Sequence, residues 1–149
     1  MKYKKVTLIL LAIMLTATAC VGTIRGSGTV TTESRTVSDF DNVELLGSGN
    51  LIITQGESES LTVETDDNLM QYVHTDVRDG TLYLSIEEDG KSFSYTKLVF
   101  ALTIKELSGV TTTGSGDITA TSLNTDHFDA TVDGSGEMTI DTLTTEALG

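Results

Sequence analysis

Three oxygen-bearing side chains recur at one place in a repeated pattern. Asn50, Asp117 and Glu137 each directly follow a Gly-Ser-Gly tripeptide. If the tripeptides stack, these residues form a row, and a row of two carboxylates and an amide offers the oxygen ligands that Ca²⁺ takes. They are weak metal candidates, because acids at exposed corners also keep a surface soluble. The same acids oppose the anion binding that Gly-rich turns would otherwise offer through their N–H groups. His74 and His127 have no ligand-spaced partner and read as surface or edge residues. Ser48, Ser115 and Ser135 sit in Gly-Ser-Gly, not in the Gly-x-Ser-x-Gly elbow that sharpens a nucleophile. Their repetition argues for a turn. No catalytic residue is assigned, no cofactor is expected, and the chain reads as a non-enzyme.

The tripeptide that places these residues occurs at 26–28, 47–49, 114–116 and 134–136, with the last two copies 20 residues apart. Aligned on its first Gly, Val43, Val110 and Ala130 precede it by four residues and Leu45, Thr112 and Val132 by two. Leu51, Ile118 and Met138 follow, then Ile53, Ala120 and Ile140, and Leu123 pairs with Leu143. The copy at 26–28 is degenerate. Apolar alternation on both sides of each tripeptide is what half-buried strands require. Gly47, Gly49, Gly114, Gly116, Gly134 and Gly136 are read as structural turns. Twenty extended residues span about 66 Å, enough for one circuit of a flattened tube whose circuits stack at about 4.8 Å.

The expected fold is therefore all-β, a right-handed parallel β-helix-like solenoid with coils of about 20 residues. A β-sandwich with shared Gly-Ser-Gly turns is the alternative. Outward Thr111, Thr113, Thr119, Thr121, Thr131 and Thr139 would form ladders on the faces. There are 26 Thr, 14 Gly and no Pro, which suits strands, turns and uninterrupted ladders.

Between Thr54 and Leu107 the period breaks, and an inserted strand and hairpin region is expected to cover one side or end of the stack. Leu61–Glu64 alternates as a short strand. Asp66, Asp67 and Asn68 precede Leu69, Met70, Tyr72 and Val73, a start signal for one or two helical turns. Asp79-Gly80 joins a strand ending near Val77 to Thr81–Ile86 as a tight hairpin. Lys97–Ile104 is a further strand. Leu143 repeats Leu123, yet the next Gly-Ser-Gly does not follow. Either the last rung is an exposed edge or the sequence is truncated.

The chain's address lies at its start. Lys2, Lys4 and Lys5 precede the uncharged stretch Val6–Ala19, which is short for a span of about 20 apolar residues. Ala17-Thr18-Ala19-Cys20 resembles the lipobox of bacterial lipoproteins, in which the Cys is acylated and becomes the N-terminus. Residues 1–20 are read as a lipoprotein signal peptide with lipidation at Cys20, and 21–34 as a Gly/Ser/Thr-rich tether. A single Cys excludes an internal disulfide framework and a multi-Cys metal site. The 149 residues carry 9 basic and 22 acidic side chains, a net charge of −13. Without the three signal lysines the balance is −16. A surface so short of Lys and Arg excludes nucleic acid as a partner.

Ser38-Asp39-Phe40-Asp41-Asn42-Val43-Glu44-Leu45-Leu46-Gly47-Ser48-Gly49-Asn50-Leu51-Ile52-Ile53-Thr54-Gln55-Gly56 resembles the opening of the head GIN domain family of auto-transporter adhesins. The likeness continues through Leu61–Glu64, Asn68–Val73, Gly80-Thr81-Leu82 and the coil at Gly114–Ile118. It covers 35–149, and departs from the family pattern at Lys105-Glu106, where a Pro is common. It implies a β-helix-like domain in an exported, envelope-attached protein and brings no catalytic motif. The expected function is a non-enzymatic lipoprotein, adhesin-like or structural. Its partners would be the membrane through Cys20 and a glycan or surface protein. A polysaccharide-active enzyme and an envelope sensor or regulatory partner are the alternatives.

Overall fold

The computed structural model describes residues 22–148. Its strands are β1 (Gly22–Arg25), β2 (Val30–Arg35), β3 (Asn42–Gly47), β4 (Asn50–Gln55), β5 (Ser60–Asp66), β6 (Val73–Arg78), β7 (Thr81–Ile86), β8 (Lys91–Ser94), β9 (Leu98–Ile104), β10 (Gly109–Gly114), β11 (Asp117–Gly134) and β12 (Met138–Leu148). The fold is all-β, with one short 3-10 turn at Met70–Tyr72. Among the described residues no helix is long and apolar enough to cross a membrane.

Alternation determines which side of each strand meets the core. In β4, Leu51 and Ile53 are buried while Asn50, Ile52 and Thr54 are exposed. In β9, Leu98, Phe100, Leu102 and Ile104 are all buried. A period of two places such residues on one face, and burying each large side chain contributes about 1.5–3 kcal/mol.

Parallel pairing then stacks equivalent residues. On one face β3 lies between β7 and β10, and β10 pairs with the second half of β11. This aligns Leu82, Val43, Val110 and Ala130 in one inward row and Leu84, Leu45, Thr112 and Val132 in the next. On the other face β4 lies between β9 and the first half of β11, which pairs with β12. There the rows are Phe100, Leu51, Ile118 and Met138, then Leu102, Ile53, Ala120 and Ile140. Because β11 runs through both faces, the faces are one continuous sheet that bends around the core. The aligned rows read from the repeat are the rows seen. Outward, Thr111 meets Thr131 and Thr119 meets Thr139.

The sheet is mixed, not uniformly parallel. β6 pairs antiparallel with β7, and β5 pairs antiparallel with both β9 and β2. The inserted region therefore does more than cover an end. Its β7 and β9 take rung positions beside β3 and β4, and only β5 and β6 run against the stack, since β2, antiparallel to β5, returns to the stack direction. The hairpin at Asp79-Gly80 turns with both residues at positive φ, 50° and 76°, the pattern that matches strand twist in a two-residue turn. The segment 21–34, expected as a tether, carries β1 and β2. β1 pairs with β8 in a separate two-stranded ribbon, and β2 edges the main sheet.

The core is closed at the β7/β9 end and opens toward the last rung. Leu45, Leu82, Leu84 and Phe100 are fully buried, whereas Met138, Ile140 and Leu143 are half-buried and Val132 is 46% exposed.

Candidate functional site

The glycine corners bring the candidate row together. Gly47, Gly114 and Gly134 all have positive φ, at 85°, 123° and 138°. A Cβ on Gly134 would collide with the Gly114 carbonyl, and one on Gly114 with the Gly47 carbonyl. Backbone packs directly on backbone here, which only Gly permits. Ser115 N–H donates to the Gly47 carbonyl and Ser135 N–H to the Gly114 carbonyl, each at 2.7 Å. Gly49 and Gly116 are buried in the same corner, and Asp117 N–H donates to the Gly49 carbonyl at 2.9 Å. Gly136 packs on the Gly116 carbonyl. The serine side chains are thus carried on turns, with their backbone N–H groups holding successive rungs.

The chain leaves this corner with Asn50, Asp117 and Glu137 side by side. Asn50 and Asp117 are register partners. Glu137 N–H donates to Asp117 Oδ1 at 2.9 Å. All three are exposed. With Ile52, Ile118, Thr119 and Thr139 they line a shallow depression of about 380 Å³. Among the described residues no group of three or more His, Cys, Asp or Glu is placed to hold a metal ion. One oxygen of Asp117 is already committed to a backbone N–H. The row therefore offers two carboxylates and an amide to a hydroxyl-bearing ligand more readily than a cage to Ca²⁺, which takes six to eight oxygens.

The floor of the depression is uncharged and carries one exposed aliphatic side chain, a feature the row of polar residues did not reveal. Ile52 is 45% exposed. It lies between Ala101 and Thr119 in an outward row that runs Thr62, Ala101, Ile52, Thr119, Thr139 across five strands. No residue of that row is charged. The signal was present as Ile52 at an outward position of an alternating strand.

The histidines are apart from this corner. His74 is exposed on β6, opposite Ser85, and lines a separate depression with Glu87, Glu88, Asp89 and Gly90. His127 Nε2 lies 3.1 Å from Asp129 Oδ2, with both side chains exposed. Cys20 lies outside the described residues.

One buried ionisable group went unrecognised as such in the sequence. Asp66 is fully buried at the end of β5. Its carboxylate accepts Thr96 N–H at 2.7 Å, Gly28 N–H at 2.7 Å and the Thr96 hydroxyl at 2.9 Å. The Thr96 N–H, aided by that of Gly28 and opposed by burial, holds the carboxyl below its ordinary range. Beside it Asn68 Oδ1 accepts Ser27 N–H at 2.9 Å, and Asn68 Nδ2 donates to the Arg25 carbonyl at 2.9 Å. The Gly-Ser-Gly at 26–28 is therefore not a corner of the stack. It is a turn between β1 and β2, clamped by Asp66, Asp67 and Asn68. Five donors from Ser27, Gly28 and Thr96, satisfied by these three consecutive side chains, make this a structural joint.

Residues 39–149 match the family model described as "Putative auto-transporter adhesin, head GIN domain". The chain belongs to this family. The head GIN domain thus begins just before β3 and includes every corner of the stack. A crystal structure of a "putative adhesin" from Bacteroides fragilis NCTC 9343 is 29% identical, with a TM-score of 0.78 over 84% of this chain and 59% of that one. A "putative adhesin" from Parabacteroides merdae ATCC 43184 is 23% identical, with a TM-score of 0.69 over 85% of this chain and 62% of that one. A "Putative lipid binding protein" from Parabacteroides distasonis ATCC 8503 is 22% identical, with a TM-score of 0.68 over 85% and 63%. The last two likenesses concern the fold alone. The chain spans about three-fifths of the length of these three proteins. Comparison with the curated proteins found no match.

Proposed function

We propose that this head GIN domain protein is a non-enzymatic, exported envelope protein, anchored through acylated Cys20, whose domain binds an extended ligand in the manner of an adhesin. The finer fold reading belongs to the same proposal: the stacked rungs form a right-handed parallel β-helix with coils of about 20 residues. The observation that carries the binding function is the uncharged outward row Thr62, Ala101, Ile52, Thr119, Thr139 on a chain of net charge −13. Five adjacent strands, spaced at about 4.8 Å, make an uncharged strip some 20 Å long, edged by Asp117 and Glu137, along which a partner can lie. Extended partners such as a glycan or the surface of another protein suit such a face. The surrounding acids disfavour nucleic acid and anionic lipid. The family description as an adhesin supports the same reading.

Anchoring is tested by fractionating cells that express the Cys20→Ser variant. Release of the protein from membranes, with loss of fatty-acid labelling, is expected; retained labelling overturns the anchor. Binding is tested by applying the purified protein to whole cells and to a glycan array. Binding to neither removes the adhesin reading. Turnover of a polysaccharide that is lost on mutating Asp117 or Glu137 replaces it with the enzyme alternative.

A further inference from the structure

On the reading that the domain binds glycans, we propose that the depression walled by Asn50, Asp117 and Glu137 and floored by Ile52, Thr119 and Thr139 is the subsite for one uncharged sugar unit. Three features of the corner point to that ligand.

The floor is uncharged and presents solvated apolar surface at Ile52 and the threonine methyls. Ile52 is exposed between two small neighbours, Ala101 and Thr119, so nothing from the protein stands over it. A pyranose presents a patch of C–H groups on one ring face, and seating that patch on Ile52 and the Thr methyls removes apolar surface from water. The wall supplies hydrogen-bonding capacity that the protein leaves unused. Among the described residues the Asn50 amide and the Glu137 carboxylate have no hydrogen-bond or ion-pair partner, and Asp117 uses Oδ1 for the Glu137 N–H while Oδ2 remains available. Carboxylates accept hydroxyl protons in charge-assisted bonds, and an amide both accepts and donates. Side chains on successive strands stand about 4.8 Å apart. Neighbouring hydroxyls of one ring can therefore each find an acceptor.

The charge pattern sets the class. No Lys or Arg lines the depression and two carboxylates do. A uronate, a sialate or a sulfated sugar would meet repulsion with no compensating cation, so the sugar is uncharged. The row across the strands continues from the floor through Ala101 to Thr62, which gives the neighbouring sugar units of a chain a path free of charge.

The test applies the purified protein to immobilised neutral oligosaccharides beside uronate- and sialate-containing ones, each with and without EDTA. Binding to at least one neutral glycan, not to the anionic set, and indifferent to EDTA, is expected. Affinity should fall at least about tenfold in Ile52→Asp and in the Asp117→Asn, Glu137→Gln double variant, and should not change in Thr131→Val on the other face. Melting curves check that each variant is folded, and Asn50→Ala serves as a second probe should Asp117→Asn disturb the corner. Neutral-glycan binding that survives all these changes overturns the subsite while leaving glycan binding intact. Binding to no glycan overturns both. Loss with EDTA overturns the proposal in favour of a metal-bridged site, and preference for anionic glycans overturns its charge argument.

Discussion

The N–H of Gly28 donates to the carboxylate of Asp66 at 2.7 Å, joining the turn between β1 and β2 to the end of β5. The Thr96 N–H and hydroxyl bind the same carboxylate, so one side chain holds two loops. Because Asp66 titrates below its ordinary value of 3.8 when folded, its contribution to stability is fully present above that value. It is lost as pH falls through the lower folded one. Acid should therefore loosen the β1–β8 ribbon before the stacked core, read as early hydrogen exchange at Ser27 and Gly28. In Asp66→Asn, which turns an NH₂ toward these donors, the ribbon should exchange quickly at neutral pH and the melting temperature should drop by several degrees. Unchanged protection at Gly28 would remove the clamp from the account.

The glycine corners should differ in tolerance even though Gly47 and Gly114 both have positive φ. Gly47 faces open space, whereas a Cβ on Gly114 runs into the Gly47 backbone. Gly47→Ala should cost about 1 kcal/mol, the strain of positive φ alone. Gly114→Ala must also separate two rungs and should cost more, about 3 kcal/mol. Urea denaturation of the two variants measures the difference.

Core depth widens the gap between two apolar truncations beyond what residue type alone would give. Phe100 is fully buried and Val132 nearly half exposed, although both point inward. Phe100→Ala should cost about 3–5 kcal/mol and Val132→Ala less than about 1 kcal/mol. Equal losses would mean that the last rung is covered in solution.

Thr112 occupies an inward position between Leu45 and Val132, and its hydroxyl donates to the Gly116 carbonyl at 2.9 Å in the buried corner. Thr112→Val keeps the shape and removes the donor, with an expected cost of about 1 kcal/mol. The Lys97–Glu64 pair, at 2.6 Å but well exposed on both sides, should matter less. Lys97→Ala is expected to change the unfolding free energy by no more than about 0.5 kcal/mol, and added salt should not change the wild-type midpoint much.

The inward rows were legible because two physical periods coincide in the sequence. Strand alternation marks Val43, Leu45, Leu51 and Ile53 as one face, and alignment on the Gly-Ser-Gly tripeptides carries the same marks to Val110, Ile118, Ala120 and Met138. Parallel pairing in register is the arrangement that satisfies both at once, and it also brought Asn50 and Asp117 together and placed Glu137 against Asp117. The hairpin at Asp79-Gly80 was legible for a local reason, since its two residues tolerate the positive φ that the turn requires.

The placement of β7 and β9 was not legible in the same way. Neither carries a Gly-Ser-Gly corner, and each lies tens of residues from the strand it pairs with in parallel. Leu82 and Leu84 alternate like any half-buried strand, and alternation names a face without naming a neighbour. The joint at Asp66 escaped for a related reason. Asp66-Asp67-Asn68 reads locally as a helix start, and its hydrogen bonds go to Ser27 and Gly28 on one side and Thr96 on the other, which no spacing connects.

The sequence by itself determined an all-β chain, the register of the repeated rungs and the acids and amide that edge one corner, because each follows from strand alternation, from alignment on the repeated Gly-Ser-Gly tripeptide and from the conformational freedom of glycine. Tertiary structure alone decided which strands complete the stack, that the turn at 26–28 is clamped instead of stacked, and that Ile52 lies open among small neighbours beside the polar row. Those outcomes depend on pairing between distant segments, where the free energy comes from shared burial and from hydrogen bonds that form only once the chain has closed on itself.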